Sequence, residues 1–356
     1  MKTIVMTVNG LEVQERELPE MNNNDVLVKI KVASVCGSDY PFLAGKKDLK
    51  TWYNQVVGHE GGGEVVKIGS SVTRVKVGDI VGIESHRPNE EWAKNYGDPY
   101  REAEAEVIGY RPLKNGFMHQ GTWAEYIVVP EIFTNIIPKD LVNKFPLSLW
   151  EPFGNVVRIV ETIRPYLDEN KKVVISGCGY LGIQVMLVLK YYFGLENIFI
   201  TDVSEARINF VKENISLNAY LPWELPKDDY DTWIEMSGSG KAVEQAFNVL
   251  EGNGVLLLFG LPAEKIPIGD TDVSSFIFSL GDEVINGTHV IAAFGRYLED
   301  WQAMPEILRK VSLNFDLSKI YTKMGTLDKL PQMHKDGFFK NMPDDFFKAC
   351  FDEFSL

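Results

Sequence analysis

Over roughly the first 150 residues, apolar and polar positions alternate in short runs with a period of two, the spacing of half-buried β-strands. Residues 26–32, 63–69, 77–83 and 122–129 are the clearest of these runs, and Gly and Asp punctuate them. Many short strands so spaced predict a barrel-like β domain. Residues 84–119 break the rhythm with polar, charged and aromatic positions and read as an excursion from that domain. From about residue 155 the period changes. Strand-like runs at 172–176, 197–202, 232–236 and 254–260 alternate with helical spacing over 181–193, 207–214 and 241–250. That alternation predicts a doubly wound parallel sheet. An alternating run over 283–291 predicts a further strand, and the helical, aromatic tail is expected to return to the first domain. The expected division is 1–154 with 295–356, and 155–294.

Composition narrows the class. With 356 residues, 45% of them apolar, the chain can bury a large core without staples. Three cysteines, Cys36, Cys178 and Cys350, are too few for a disulfide framework and fit a reducing compartment. The net charge of −14 argues against nucleic acid and against an anionic membrane surface as partners. The N-terminus shows no apolar core with a cleavage site, and no apolar run is long enough to span a bilayer. The expectation is a cytoplasmic protein acting on a small molecule.

Gly177-Cys178-Gly179-Tyr180-Leu181-Gly182 is a G-x-G-x-x-G set between a predicted strand ending at Ser176 and a predicted helix beginning near Leu181. Asp202 follows 20 residues after Gly182, at the end of the next strand. Such glycines let the backbone approach a pyrophosphate, and the helix N-terminus supplies N–H donors. A carboxylate at Asp202 can accept the ribose hydroxyls and would repel a 2′-phosphate, which favours NAD over NADP. Arg207 lies over the adenine or faces solvent; the sequence leaves both open.

Cys36, His59, Glu60 and Glu151 bring together a thiolate, an imidazole and two carboxylates, which can build an open zinc site. Spacing alone equally fits a buried Cys, a surface His and a capping Glu. The surrounding motifs add to this. Cys36-Gly37-Ser38-Asp39, Gly58-His59-Glu60, Glu64-Val65-Val66, Val77-Gly78-Asp79 and the glycine motif occur in that order. Together they resemble the zinc-dependent medium-chain alcohol dehydrogenases over roughly residues 20 to 300. Segments 151–157, 237–246 and 295–301 look like the L-threonine 3-dehydrogenase branch; sorbitol and other polyol dehydrogenases share the earlier motifs.

The resemblance implies a GroES-like β-barrel catalytic domain and a Rossmann domain. It implies Cys36, His59, Glu60 and Glu151 as zinc ligands, with Glu60 able to enter or leave the metal's sphere. Asp39 would orient the ligating His59, and Ser38 would take the substrate's hydroxyl proton. Gly177, Gly179, Tyr180, Leu181, Gly182, Asp202, Arg207, Ser237, Gly260 and Leu261 would contact NAD. The dimers or tetramers of relatives, joined through a strand near 283–291, imply an oligomer here.

Three departures qualify the resemblance. Residues 92–106 hold no cysteine, so one catalytic zinc and no structural zinc is expected. Tyr40-Pro41-Phe42 lacks the His that threonine enzymes carry there, which moves the expected substrate toward a polyol or sugar. Residues 217–231 are too short for the usual helix before the fourth strand. His86 is a candidate relay or a surface group, and Arg296 a candidate partner for a substrate carboxylate. A non-catalytic dinucleotide-binding protein is the second class; it would be expected to have lost a ligand or Ser38, and all are present.

Overall fold

The computed structural model describes all residues except 47–51, 87–107, 110–119, 261–264, 269–270, 273–281, 286, 294–295, 297 and 356. The described residues fall into two compact units. The first takes in Met1–Asn89, Glu102–Pro152 and Leu317–Leu356, and the second includes Phe153–Asp316. The sequence pattern put the whole tail from 295 with the first domain. The helix Leu298–Asn314 instead packs in the second unit, and only the residues from Leu317 join the first.

The first unit opens with a hairpin, β1 (Lys2–Thr7) and β2 (Gly10–Glu15). A seven-stranded sheet follows. It is built from β3 (Asp25–Ser34), β4 (Glu60–Ile68), β5 (Ile80–Ile83), β6 (Tyr126–Pro130) and β7 (Thr134–Ile136). The first three and β7 stand in the order β3-β4-β5-β7, and β6 pairs with β3 on its other side. All these pairings are antiparallel, as a meander of short strands should be. Val28, Val81, Ile127 and Phe351 point inward and form its core with Ile4 from the hairpin. Residues 77–79 turn rather than extend, so β5 starts three residues later than the pattern suggested.

The second unit holds β8 (Val173–Ser176), β9 (Ile198–Thr201), β10 (Ala219–Tyr220), β11 (Tyr230–Glu235) and β12 (Leu250–Leu258). A two-stranded piece, β13 (Pro267–Ile268) with β14 (Thr271–Asp272), precedes β15 (Asp282–Ile285) and β16 (Thr288–Ala292). The large sheet runs β10-β9-β8-β11-β12-β16-β15, with every pairing parallel except the last. The chain builds outward from β8 to β10, then returns to lay β11 on the other side of β8. The β8/β11 junction is therefore the switch point, where doubly wound sheets bind ligands at their carboxyl ends. Val174, Trp233, Leu256 and Val290 are buried in its core. The single strand expected over 283–291 is a hairpin, β15 and β16, turning through Gly287. Between Leu217 and Asp231 the chain makes only β10 and a short 3-10 turn, Pro222–Glu224, as its length required. Among the described residues no helix is long and apolar enough to cross a membrane.

Later strands complete the first sheet. β17 (Thr322–Thr326) and β18 (Ala349–Asp352) add to it through β18, which pairs antiparallel with β3. The sequence pattern showed no strand here; the pairing brings residue 348 beside the end of β3.

Candidate active site

The metal-ligand candidates lie where β3 ends and β4 begins. Cys36 follows β3 in a tight turn: its backbone N–H donates to Asp39 Oδ2 at 2.9 Å, and the Asp39 N–H donates back to the Cys36 carbonyl at 3.0 Å. Pro41 then starts the short helix Tyr40–Leu43. His59 immediately precedes β4, and Glu60 is its first residue. One donor atom each from Cys36, His59 and Glu60 lies within 4.8 Å of the others. Cys36 is half-buried, His59 and Glu60 buried.

The site is strongly electronegative. Asp39 Oδ1 stands 3.7 Å from His59 Nδ1, an ion-pair distance. Burial alone would lower the His59 pKa, but the Asp39 carboxylate, the Cys36 sulfur and Glu151 together push it up to about 10. The pocket thus favours positive charge beside Cys36, which a divalent cation would supply as well as a proton. A soft thiolate, an imidazole nitrogen and a carboxylate oxygen fit zinc by donor type.

Glu60 has a partner that sequence reading missed. The Lys348 ammonium donates to Glu60 Oε1 at 2.6 Å, and the Ser34 hydroxyl donates to Oε2 at 2.5 Å. All three groups are buried. Ser34 faces Glu60 across the β3/β4 ladder, and Lys348 arrives on the segment leading into β18. Burial works to raise the Glu60 pKa, but Lys348 and His59 hold it below the usual carboxylate range. Lys348 in turn is raised by Glu60 against the effect of its own burial. Glu60 therefore belongs to the ligand cluster and to this ion pair at once.

Glu151 gathers with different neighbours. It sits in the first turn of the helix Trp150–Ile163 and is 3% exposed. Its Oε1 accepts from the Ser85 hydroxyl at 2.5 Å, and the same hydroxyl is 2.7 Å from His86 Nδ1. The His86 backbone N–H donates to Glu84 Oε1 at 2.9 Å. Glu84, His86 and Glu151 form a second set whose donor atoms lie within 4.8 Å. The four ligand candidates thus divide, although the charge of Glu151 is felt at His59. Ser38, in the turn after Cys36, is half-buried and its hydroxyl makes no hydrogen bond among the described residues.

The glycine motif takes the form its spacing predicts. It links β8 to the helix Tyr180–Tyr191. Gly177 has φ +109, the left-handed side that glycine alone adopts easily. A Cβ on Gly182 would stand 1.9 Å from the Gly177 carbonyl oxygen, so the helix can approach the strand only without one. A Cβ on Gly179 would meet nothing within 4 Å: this is an open cradle beside a helix N-terminus. Those features fit a pyrophosphate. Tyr180 and Leu181 form the first turn of that helix, Tyr180 buried and Leu181 half-buried.

Asp202 ends β9. Its Oδ2 accepts from the Cys178 N–H at 2.7 Å, and Oδ1 from the Ser204 N–H at 2.9 Å. Arg207 Nη1 lies 3.8 Å from Oδ2. Ser237 and Gly260 stand at the carboxyl ends of β11 and β12, while Leu261 lies outside the described residues. Arg296 meets Asn155 and Trp301 within the second unit. It is 2% exposed, with Nη1 donating to Asn155 Oδ1 at 3.0 Å and its guanidinium 5.7 Å from the Trp301 ring. Trp52 is likewise a packing residue, tilted against Phe42 at 4.2 Å.

With this geometry the known proteins fall into place. Residues 22–139 match the alcohol dehydrogenase GroES-like domain family. The likeness to known dehydrogenases extends beyond that domain over most of the chain. It is 28% identical to L-threonine 3-dehydrogenase of Escherichia coli O1:K1 over 338 residues, 90% of each chain. Galactitol-1-phosphate dehydrogenase from Escherichia coli superposes with a TM-score of 0.79 at 20% identity, covering 99% of this chain and 100% of the other. A protein described as a short chain alcohol dehydrogenase from E. coli CFT073, complexed with cofactor NADH, superposes with a TM-score of 0.80 at 20% identity over 99% of both chains.

Proposed function

We propose that this protein is a zinc- and NAD-dependent dehydrogenase that oxidises a secondary hydroxyl on a small polar molecule. The cluster of half-buried Cys36 with buried His59 and Glu60, and the positive charge its surroundings favour at His59, carries this reading. A zinc bound there would act as a Lewis acid toward the substrate oxygen, and NAD would accept the hydride. The chain does the rest. Cys36 and His59 hold the metal, with Glu60 or Glu151 as further ligands. Asp39 orients His59 and keeps its metal-facing nitrogen electron-rich. Ser38 takes the hydroxyl proton. The glycine loop receives the pyrophosphate, and Asp202 accepts from the adenosine ribose, which favours NAD over NADP. Three cysteines in the whole chain leave no thiolate set for a structural zinc, so one zinc per chain is expected.

Two substrate classes compete. Polyols and sugars need several neutral or acidic hydrogen-bonding groups, and Ser38, Glu84, His86 and Glu151 offer them. L-Threonine is favoured by the likeness to L-threonine 3-dehydrogenases, and the same carboxylates suit its ammonium. We place a polyol or sugar first, because the turn after Asp39 carries Pro41 and Phe42 where the threonine branch has its His. Steady-state assays with NAD decide it: kcat/KM for L-threonine above every polyol and sugar tested would reverse the order. NADH binding with neither metal nor turnover would instead make the chain a non-catalytic dinucleotide-binding protein. We further propose a cytoplasmic homodimer or homotetramer.

A further inference from the structure

Glu235 is a buried carboxylate that the mechanism above does not use. It ends β11 beside the switch point and is 1% exposed. Oε1 accepts from the backbone N–H of Ser237 at 2.7 Å and of Gly238 at 3.1 Å, and the Ser237 hydroxyl donates to it as well. Oε2 accepts from the Gly238 N–H at 3.1 Å. The main chain of the same residue is equally committed: its carbonyl accepts from the N–H groups of Phe259 at 3.0 Å and Gly260 at 2.9 Å. One residue thus ties together the turns that leave β11 and β12.

These turns are in close approach. A Cβ on Gly260 would stand 2.6 Å from Glu235 Oε2 and 2.3 Å from the Gly238 nitrogen. A Cβ on Gly177, in the glycine motif, would stand 3.2 Å from the Ser237 nitrogen. The carboxylate therefore fixes the wall against which the glycine loop rests. Burial pushes the Glu235 pKa up, and the donors from Ser237, Gly238 and Ser239 oppose it. A carboxylate kept in such a place, at the carboxyl ends of parallel strands, costs desolvation that an apolar residue would not. Ser237, expected to contact the cofactor, turns both its N–H and its hydroxyl toward Glu235.

We propose that Glu235 is a positioning residue for the dinucleotide: it holds the Ser237–Gly238–Ser239 turn against the glycine loop so that both present a fixed edge to the cofactor. This rests on the dinucleotide reading of the motif. The test compares NADH binding by fluorescence titration, KM for NAD, kcat and thermal melting in the wild type, Glu235→Gln and Ser237→Ala. Gln keeps the size but turns an amide donor toward N–H groups that need an acceptor. Glu235→Gln is expected to weaken NADH roughly tenfold, the cost of one unsatisfied buried donor. KM for NAD should rise by a similar factor and carry more of the loss than kcat. Ser237→Ala, which removes one donor and leaves the carboxylate, should weaken NADH roughly threefold. It decides the matter alone if Glu235→Gln does not fold. Binding of NADH within twofold of wild type in the folded variants, with only the melting temperature lowered, would overturn the role of Glu235 and leave the dinucleotide reading standing. A wild type that binds no NADH would overturn both.

Discussion

Lys348 is the residue whose removal the structure punishes most plainly. It is 4% exposed and its ammonium faces Glu60, which is wholly buried. Lys348→Met should destabilise the fold by about 3 kcal/mol at neutral pH, because a buried carboxylate is left unpaired. Adding Glu60→Gln should recover most of the loss, which denaturant melts of the single and double variants would show. The pH dependence follows from the Glu60 pKa, which lies below its unfolded value. A depressed carboxyl contributes stability above its unfolded pKa of about 4.3, and that contribution is lost as pH falls through the folded value. The penalty of Lys348→Met should therefore shrink on acidification. Cys36→Ser or His59→Ala should remove bound metal and turnover while leaving NADH binding largely intact, as elemental analysis and fluorescence titration would establish. The local part of this site was legible: Cys36, Ser38 and Asp39 fall in one turn, and His59-Glu60 in one dipeptide. Lys348 was not, because 288 residues separate it from Glu60 and no periodicity encodes a pairing of that reach.

At the scale of elements, the glycine loop offers two substitutions with opposite outcomes. Gly182→Ala puts a methyl 1.9 Å from the Gly177 carbonyl oxygen, so it should cost about 2 kcal/mol or more in stability. Gly179 has φ −74 and open space where a methyl would project, so Gly179→Ala should melt like the wild type. Its methyl would occupy the cradle instead, and NADH binding should weaken roughly tenfold. Equal melting losses in the two variants would contradict this division of roles. The strand–helix alternation from β8 to β12 was readable to within a few residues, since short apolar runs alternate there with longer helical ones; β8 and most of the helix Tyr180–Tyr191 are buried on all sides. The hairpin of β15 and β16 was read as one strand because its alternation continues on both sides of Asn286-Gly287. That dipeptide is itself a strong turn signal, and the period masked it.

For the molecule as a whole, the division into a GroES-like and a Rossmann domain was visible as a change of period. The place where the tail divides was not. Helical spacing shows which face of the helix Leu298–Asn314 is buried but not against which unit, and the same holds for the strands from Thr322 onward, whose partner β3 lies near the other end of the chain. Two bulk measurements test the proposals at this scale. Elemental analysis should give one zinc per chain, and two tightly bound zincs would contradict the proposal of a single catalytic metal. Light scattering should give the mass of a dimer or tetramer, and the mass of a single 40.2 kDa chain would contradict it.

The carboxylate of Asp202 has a consequence for anyone who would retune this protein. Its Oδ2 holds the Cys178 N–H of the glycine loop, so under the proposed ribose contact coenzyme choice and loop shape depend on one carboxylate. Asp202→Ala should lower the preference for NAD over NADP, but by losing NAD affinity rather than by gaining NADP, since the repulsion and the loop's anchor vanish together. Comparing kcat/KM for the two coenzymes separates these. A true exchange of coenzyme would need a neutral acceptor left in that spot, so the route from one specificity to the other passes through Asn or Ser and not through a cleared pocket.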